Sequence, residues 1–371
     1  AFQKNKIDCA LLLLQQPMID VFCINKSQNS IVHFAAEQSR KDIIDFILTK
    51  IKTSSNDMQD IIDFINIDNN KGETALLIAC KKASIYVVRS LIDTFKDSLD
   101  FTIADENGIT PFIAAVETKN NELIHLLLTN VNCTSTIDLT VPINENNDYI
   151  AQLMASNSNL ENFRLLIEET SSHSSNLNLD FINVKNNDGD SLISIAIDER
   201  KYELFDYICE TQNPDLNILM DNNTPLLFEA VQKYDFDIFK SIFINGSFNV
   251  NQKFNGMSLL HYAVQSYRNS LEKVNFLIKQ DGIDVNCTTD KGGLTPLHLA
   301  VKNKNRTIVE ALLSLNEKID VNKQNSRHKS PRDMARNRFL RKIFNEYDER
   351  LKKKENKENE EEEEEEYNDY D

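Results

Sequence analysis

The chain has 371 residues, 41% of them hydrophobic, and a formal net charge of −17, so it has ample apolar material for a sizeable core. The acidic balance argues against nucleic-acid binding, which requires a stripe of basic residues for phosphate contacts. Apolar runs such as the four leucines at 11–14 are too short to cross a bilayer, so we expect neither a membrane span nor a signal peptide.

Taken in chain order, the predicted elements repeat one pattern, in which a capping residue precedes a short apolar helix. Successive copies are 33 to 44 residues apart, which predicts a tandem array of similar units. A second apolar helix follows in each unit, as at Ile124, Leu127 and Leu128, whose spacing predicts one buried face. The nine predicted capping positions are Ser30, Thr74, Thr110, Ile150, Ser191, Thr224, Ser258, Thr295 and Ser330.

Glycine marks the turn ahead of these helices. The chain has only eight glycines, and five of them stand two residues before a capping position. A hairpin tip at that place requires a positive φ, which glycine adopts at low cost. We therefore predict hairpin tips at Gly72, Gly108, Gly189, Gly256 and Gly293.

The clearest copy is LTPLHLA at 294–300, within a longer unit at 284–322. This unit resembles an ankyrin repeat, with a hairpin tip, a T-P-L-H-x-A helix start and a second helix ending in paired leucines. The likeness is good at 256–264 and 108–116 and poor at 150–155. It implies an all-α repeat fold, an ankyrin-type solenoid of stacked helix-turn-helix units with hairpin loops, followed by a disordered acidic tail.

The resemblance also sets the predicted boundaries. The solenoid spans 1–350 and the tail spans 351–371, and polar stretches at 50–60 and 168–180 are predicted insertions. The units are an incomplete repeat at 1–24, repeats near 25–68, 69–104, 105–144, 145–183, 184–218, 219–252, 253–288 and 289–324, and a capping repeat with a closing helix at 325–350.

The predicted tail carries a dense negative charge. Residues 360–371 hold nine acids and no base, and such a run repels itself and favours disorder. It is either a solvating tail or an acidic segment for a basic partner, including its own neighbour at 336–354. We interpret a basic patch near the end of the solenoid as the solvated face of a capping helix; its members are Arg332, Arg336, Arg338, Arg341 and Lys342.

No residue pattern indicates catalysis, a metal site or a cofactor. The six cysteines are scattered without a C-x-x-C pair, which predicts free thiols in a reducing compartment, the cytoplasm with the nucleus as an alternative. His33, His261 and His298 share one place in the repeat. The family resemblance implies that this histidine is structural and bonds to the hairpin backbone, so we predict that the protein is not an enzyme.

Binding to other proteins is the remaining prediction. In ankyrin-like stacks the hairpin tips and the first helices line a concave groove that receives partners. Phe254 is either an aromatic anchor for a partner or a side chain that packs on its own neighbours. The predicted partner-binding residues are Asp105, Glu106, Asn187, Asp188, Asp221, Asn222, Lys253, Phe254, Asp290, Lys291 and Tyr267.

The predicted function is therefore a monomeric scaffold or adaptor that binds protein partners and takes no cofactor. One alternative is a targeting or inhibitory subunit of a larger enzyme assembly, such as a ubiquitin ligase substrate receptor. Another is a fragment of a longer multidomain protein with a catalytic domain upstream of Ala1.

Overall fold

The computed structural model of the protein describes residues 12, 15–16, 19–54, 57–173, 179–212, 214–220 and 223–368. They belong to two compact units, residues 1–214 and 215–371, which are described in turn. Most of the predicted incomplete repeat at 1–24, and residues 174–178 of the second predicted insertion, lie outside the described residues. The division into a solenoid at 1–350 and a tail at 351–371 stays a prediction.

In unit 1, first and second helices alternate along the chain. An isolated antiparallel bridge precedes three of the first helices and closes each hairpin, for example between Asp68 and Thr74. The helices are α1 (Ile31–Gln38), α2 (Lys41–Ser54), α3 (Met58–Ile65), α4 (Ala75–Lys81), α5 (Ile85–Phe95), α6 (Pro111–Glu117), α7 (Asn121–Leu128), α8 (Val131–Thr134), α9 (Ile150–Asn157), α10 (Leu160–His173), a 3₁₀ helix (Leu179–Ile182), α11 (Leu192–Asp198) and α12 (Tyr202–Gln212).

Unit 2 repeats this arrangement with two short antiparallel hairpins, in which β1 pairs with β2 and β3 pairs with β4. Its elements are β1 (Leu219–Met220), β2 (Thr224–Pro225), α13 (Leu226–Lys233), α14 (Phe236–Asn245), β3 (Lys253–Phe254), β4 (Met257–Ser258), α15 (Leu259–Gln265), α16 (Ser270–Leu277), α17 (Pro296–Lys302), α18 (Arg306–Leu313), a 3₁₀ helix (Asn316–Lys318), α19 (Pro331–Met334) and α20 (Arg338–Asn368).

Seven of the nine predicted capping residues directly precede a first helix. Thr74 is typical, since its hydroxyl accepts a hydrogen bond from the Leu77 N–H at 3.1 Å, which satisfies one of the donors left over at a helix start. The confirmed caps are Ser30, Thr74, Thr110, Ser191, Ser258, Thr295 and Ser330.

The other two predicted caps are wrong by one residue. Helix α9 begins after Tyr149, so Ile150 is its first residue and not its cap. Helix α13 begins after Pro225, so Thr224 lies in β2. The hairpin explains the second shift, because Leu219 pairs with Pro225 six residues later, whereas Lys253 pairs with Ser258 only five residues later.

Each unit is held together by stacking of apolar helix faces between consecutive repeats. Small side chains lie where first helices approach one another, and Ala79, Ala115, Ala263 and Ala300 have no exposed surface. In the second helices, paired leucines such as those at 312 and 313 are also fully buried. Burial of one such leucine contributes about 2 kcal/mol, and a neighbouring repeat must supply the partner surface.

Backbone hydrogen bonds join successive hairpin tips within each unit. In unit 1, the Glu106 N–H donates to the Lys71 carbonyl at 3.2 Å, and the Asn187 N–H donates to the Asn146 carbonyl at 2.9 Å. In unit 2, the Asp290 N–H donates to the Gly256 carbonyl at 2.9 Å. All five predicted tip glycines have a positive φ, including Gly256 at 75°, which confirms the hairpin tips.

Asparagine side chains form a second set of bridges between repeats. Asn286 donates from Nδ2 to the Lys318 carbonyl at 2.8 Å, and its Oδ1 accepts from the Asp320 N–H at 2.8 Å. Asn66 and Asn251 make the same double contact with the following repeat. A planar amide that both donates and accepts suits this place, so these asparagines are structural.

Two lysines, one half-buried and one buried, close the ends of two first helices. Lys201 Nζ donates to the carbonyls of Ala155, Ser156 and Ser158 at 2.6 to 2.9 Å. Lys273 is fully buried and donates to the Val231 and Tyr234 carbonyls. A cation there complements the negative end of the helix dipole, although burial lowers the pKa of Lys273 to about 8.

Two elements differ from the expected repeat. The predicted polar insertion at 50–60 contains the end of α2 and the start of α3, and Asp57 caps α3 by accepting from the Gln59 N–H at 2.9 Å. The predicted closing helix is present as α20. Where the sequence predicts a disordered tail from 351, the structure continues α20 to Asn368, which accords with the high helix propensity of glutamate and lysine.

Candidate functional site

The recurring histidine is part of the scaffold. His298 Nδ1 accepts a hydrogen bond from the Thr295 N–H at 3.1 Å, so Nε2 carries the proton and donates to the Lys329 carbonyl at 2.9 Å. His33 and His261 make the equivalent bonds to the Glu73 and Leu294 carbonyls. We call this contact the latch, because it ties a first helix to the hairpin of the next repeat.

Gln152 performs the same task in unit 1. Its Oε1 accepts from the Tyr149 N–H at 3.0 Å, and its Nε2 donates to the Asp190 carbonyl at 3.0 Å. Asp190 directly precedes the cap Ser191, as Lys329 precedes Ser330. The latch therefore requires one acceptor and one donor on a side chain of this length, and glutamine and histidine both supply them.

A group of Ser258, His261 and Cys287 superficially resembles a catalytic arrangement. The Ser258 hydroxyl lies 2.7 Å from His261 Nδ1 and 3.0 Å from Cys287 Sγ. Burial lowers the pKa of His261 and raises the pKa of Cys287. A thiol of raised pKa is a poor nucleophile, and both imidazole nitrogens are already used in the latch, so the group is structural.

The predicted tip residues take part in hydrogen bonds between neighbouring tips. Asp105 is buried, and its carboxylate lies 2.6 Å from Lys81 Nζ. Burial alone would raise the pKa of Asp105, but hydrogen bonds from Lys81 and from the Ile109 and Asn107 N–H groups lower it. This carboxylate is therefore committed to the fold.

Other predicted residues pair with one another across tips. Asn187 Oδ1 accepts from Asn147 Nδ2 at 2.8 Å, and Asp188 accepts from Asn146 Nδ2 at 2.9 Å. Lys253 Nζ lies 2.7 Å from the Asp290 carboxylate. Because both partners of this ion pair are exposed, it contributes little to stability and is open to exchange with a ligand.

Phe254 packs on neighbouring rings, which is one of the two roles left open for it. Its ring centroid lies 5.4 Å from that of Phe228 and 6.4 Å from that of Tyr262. By contrast, Tyr267 is 87% exposed. Glu106 and Lys291 are also exposed, whereas Asp221 and Asn222 lie outside the described residues.

Three surface clefts lie between the hairpin tips and the first helices. We call the first the mixed cleft, of about 490 Å³ in unit 1. The second is the acidic cleft, of about 290 Å³ in unit 1. The third is the basic cleft, of about 530 Å³ in unit 2.

The names reflect the charged side chains that line each cleft. All the charged residues of the acidic cleft are acids, and the basic cleft has one acid, Asp333. The mixed cleft is lined by Glu37, Lys71, Glu73, Lys81 and Lys82; the acidic cleft by Asp148, Asp188, Asp190, Asp198 and Glu199; and the basic cleft by Lys302, Lys304, Arg327, Lys329 and Arg336.

Most residues of the basic cleft were not predicted from the sequence. Lys302 ends α17, Arg327 and Lys329 belong to the next tip, and Arg336 precedes α20, so they converge only through stacking of two repeats. Of the basic patch interpreted as the solvated face of a capping helix, Arg332 instead pairs with Asp348 at 2.6 Å. Arg341 donates to the Ala335 carbonyl at 2.9 Å.

The comparison with family models agrees with this architecture. The family model for ankyrin repeats, present in three copies, matches residues 51–138 and 227–325, about half of the chain. The chain belongs to the ankyrin repeat family. A search of curated proteins finds no match. Among solved structures, the chain is similar to the ankyrin repeat protein EF0377, with 14% identity and a TM-score of 0.39, over 57% of this chain and 94% of that one.

Two other features, a membrane-spanning helix and a metal site, are not found among the described residues. In the part of the chain that the structure describes, no helix is both long and apolar enough to cross a membrane. Among the same residues, no group of three or more His, Cys, Asp or Glu side chains is placed to hold a metal ion. Ankyrin repeats are in general modules for protein–protein interaction, which makes the clefts and tips the candidate site.

Proposed function

We propose that the protein is a non-enzymatic scaffold or adaptor that binds protein partners through its hairpin tips and the clefts beside them. The proposal rests on one observation: some polar residues are bonded within the fold, whereas the side chains of others are exposed and form no ion pair among the described residues. The latch histidines, bridging asparagines and Asp105 are used within the repeats. The cationic side chains of the basic cleft are exposed and are left for a ligand.

The rigidity of the tips supports this function. Successive tips are joined by backbone hydrogen bonds such as that from Ser326 N–H to the Gly292 carbonyl at 3.0 Å. A surface that is already ordered loses little conformational entropy when a partner binds. The cysteines within the described residues are unpaired thiols, which supports a reducing compartment, the cytoplasm or the nucleus.

Affinity capture with the full chain tests the proposal. We expect reversal of exposed tip charges, Glu106→Lys and Lys291→Glu, to remove partners that the unaltered chain captures. The matched control reverses exposed charges away from the tips, Glu203→Lys on the second helix α12 and Lys279→Glu in the turn after α16, and should leave capture unchanged. If tip and control variants capture the same partners, the tips are not the binding surface.

A captured enzyme would separate the alternatives. Full activity of that enzyme in the complex supports a scaffold, whereas loss of activity on binding supports the inhibitory subunit. Substrate turnover by the chain itself would contradict the proposal of a non-enzymatic protein.

A further inference from the structure

The cations of the basic cleft are not neutralised by the protein. Lys302, Lys304, Arg327, Lys329 and Arg336 are all exposed. Within the described residues, no ion pair joins any of them to a carboxylate. Five cations without an ion-pair partner therefore line one cleft in a chain with a net charge of −17.

The single acid of the basic cleft is occupied by the fold. The Asp333 carboxylate accepts hydrogen bonds from the Ser330 N–H at 2.9 Å and from the Ser330 hydroxyl at 2.8 Å. These bonds lower the pKa of Asp333 and cap the start of α19. Asp333 therefore reduces the positive charge of the cleft without pairing with any of its cations.

The floor of the same cleft is apolar. Val301 and Leu340 are buried beneath it, and Leu294 and Met334 are half-buried at its sides. A ligand that only neutralised the rim would leave the exposed parts of Leu294 and Met334 in water. The ligand that best complements the cleft is thus a peptide with an apolar side chain between carboxylates.

We infer that the basic cleft binds an acidic peptide segment of a partner protein, with an apolar side chain seated between carboxylates. This inference rests on the proposed function, since it names the kind of partner that one of the clefts receives. The carboxylates pair with the cationic rim, which steers association and selects against basic segments. The apolar side chain covers the floor and contributes through burial.

The backbone of α20 carries the glutamate run of the same chain away from this cleft. Helix α20 begins at Arg338 and is continuous past residue 360, so the glutamate run starts about 33 Å along its axis. Ion pairs from Arg332 to Asp348 and from Lys354 to Glu317 fasten the intervening part of α20. The occupant therefore comes from another molecule.

A peptide fits better than a nucleic acid. A phosphate backbone carries one charge per nucleotide and continues beyond a single cleft, where it meets the rest of this acidic chain. It also offers no aliphatic side chain for Leu294 and Met334. A short peptide places its charge within the cleft alone.

Fluorescence anisotropy with the full chain tests the inference. The probe is a short labelled peptide with glutamates on both sides of a central leucine, and its control has glutamine in place of glutamate. We expect the glutamate peptide to bind more tightly, with an affinity that falls as salt rises. Neutralising the cleft with K302Q, R327Q and R336Q together should weaken binding about tenfold.

Two matched variants make the result specific. Neutralising three exposed lysines elsewhere in unit 2, with K240Q, K279Q and K353Q, removes the same charge and should change the affinity less than about twofold. Exchanging the cleft cations for each other, with K302R, R327K and R336K, should retain binding. Far-UV circular dichroism confirms that every variant is folded.

Several outcomes would overturn the inference. Equal binding by the cleft and control variants would show attraction by net charge alone. Tighter binding of an oligothymidylate would indicate nucleic acid as the ligand. Self-association of the chain that the cleft variant abolishes would identify the glutamates of a second copy as the occupant.

The outcome is separable from that of the proposed function. If the cleft variant still captures every partner of the unaltered chain, the interaction function stands and this cleft is not its site. If the peptide binds but the chain captures no protein, the chemistry of the cleft is confirmed and the scaffold function fails.

Discussion

The acidic cleft of unit 1 and the basic cleft of unit 2 occupy the same place in the repeat but use their charges differently. In the acidic cleft, Asp148 accepts hydrogen bonds from Asn144, Asn146 and Asn186, and Asp188 accepts from Asn146. Its carboxylates thus help to build the tips. In the basic cleft, the cations line the surface without forming ion pairs to the fold.

This difference separates charge that stabilises from charge that recognises. A carboxylate saturated by amide donors has few free lone pairs for a ligand. An exposed lysine or arginine without a partner retains its donors and also covers apolar surface with its aliphatic stem. The net charge of a cleft does not show whether its charged groups are already bonded within the fold. The contacts within each cleft show this, and they make the basic cleft the stronger candidate for binding.

The largest predicted effect concerns the latch beneath the basic cleft. His298→Ala would leave the Thr295 N–H and the Lys329 carbonyl without their partner in a buried place, and we expect a loss of about 3 kcal/mol in the free energy of unfolding. His298→Gln should lose far less, because Gln152 already makes the latch in unit 1. The chain contains no tryptophan, so urea unfolding is followed by far-UV circular dichroism.

Equal destabilisation by the alanine and glutamine variants would contradict this equivalence. It would mean that the ring shape of His298, and not its two hydrogen bonds, is what the repeat requires.

The next largest effect is the difference in stability lost when the lysine of a buried or of an exposed ion pair is replaced. Lys81 pairs with Asp105, whose side chain is 3% exposed, whereas Lys253 pairs with Asp290, whose side chain is 63% exposed. Lys81→Gln leaves a buried carboxylate without its cation and should cost about 2 kcal/mol. Lys253→Gln should cost less than about 0.5 kcal/mol, and similar values for both would show that burial does not distinguish these pairs.

A smaller effect is expected at the tip glycines. Gly108 and Gly256 have similar positive φ values of 78° and 75°, but an added Cβ at Gly256 would lie 3.0 Å from the Asp290 side chain. We expect Gly108→Ala to cost about 1 kcal/mol from backbone strain alone. Gly256→Ala should cost somewhat more in the same urea titration, and the reverse order would exclude contact with the neighbouring tip as the cause.

The sequence predicts the scaffold well because each repeat carries its own capping, turn and latch residues. The caps, tip glycines and latch histidines all recur at fixed offsets, and these offsets follow from helix and turn geometry. The phase slips at Ile150 and Thr224 occurred where these signals are weakest. Tyr149 and Pro225 are poor caps, and the slip at 150 hid Gln152 as a latch.

The candidate site was less predictable for a physical reason. Asp105 looks like an exposed tip acid in the sequence, yet in the structure it is buried against Lys81 of the preceding repeat. Conversely, Lys302 and Arg327 are 25 positions apart and converge only when repeats stack. Side chains that meet across an interface between repeats leave no periodic signal, whereas the surfaces that form the interface do.

The smallest predicted effect is the pH dependence of the latches. Burial lowers the pKa of His33, His261 and His298 in the folded chain. Below about pH 6.5, the pKa of an unperturbed histidine, these side chains therefore bind more protons in the unfolded chain than in the folded one. These histidines should therefore leave stability unchanged well above pH 6.5 and reduce it as the pH falls below about 6.5. At pH 6, each histidine accounts for less than about 1 kcal/mol.

The His298→Gln variant isolates one of these contributions. Its urea stability should fall less than that of the unaltered chain over the same pH range, because one group that titrates on unfolding has been removed. Two of the three histidine latches lie in unit 2, while unit 1 relies on His33 and on Gln152, which does not titrate. Hydrogen exchange at acidic pH should therefore rise more at the Ser258 and Thr295 N–H groups in unit 2, which donate to latch histidines, than at the Tyr149 N–H in unit 1, which donates to Gln152. An equal rise at all three would mean that acid acts through other groups, such as the carboxylates of the tips.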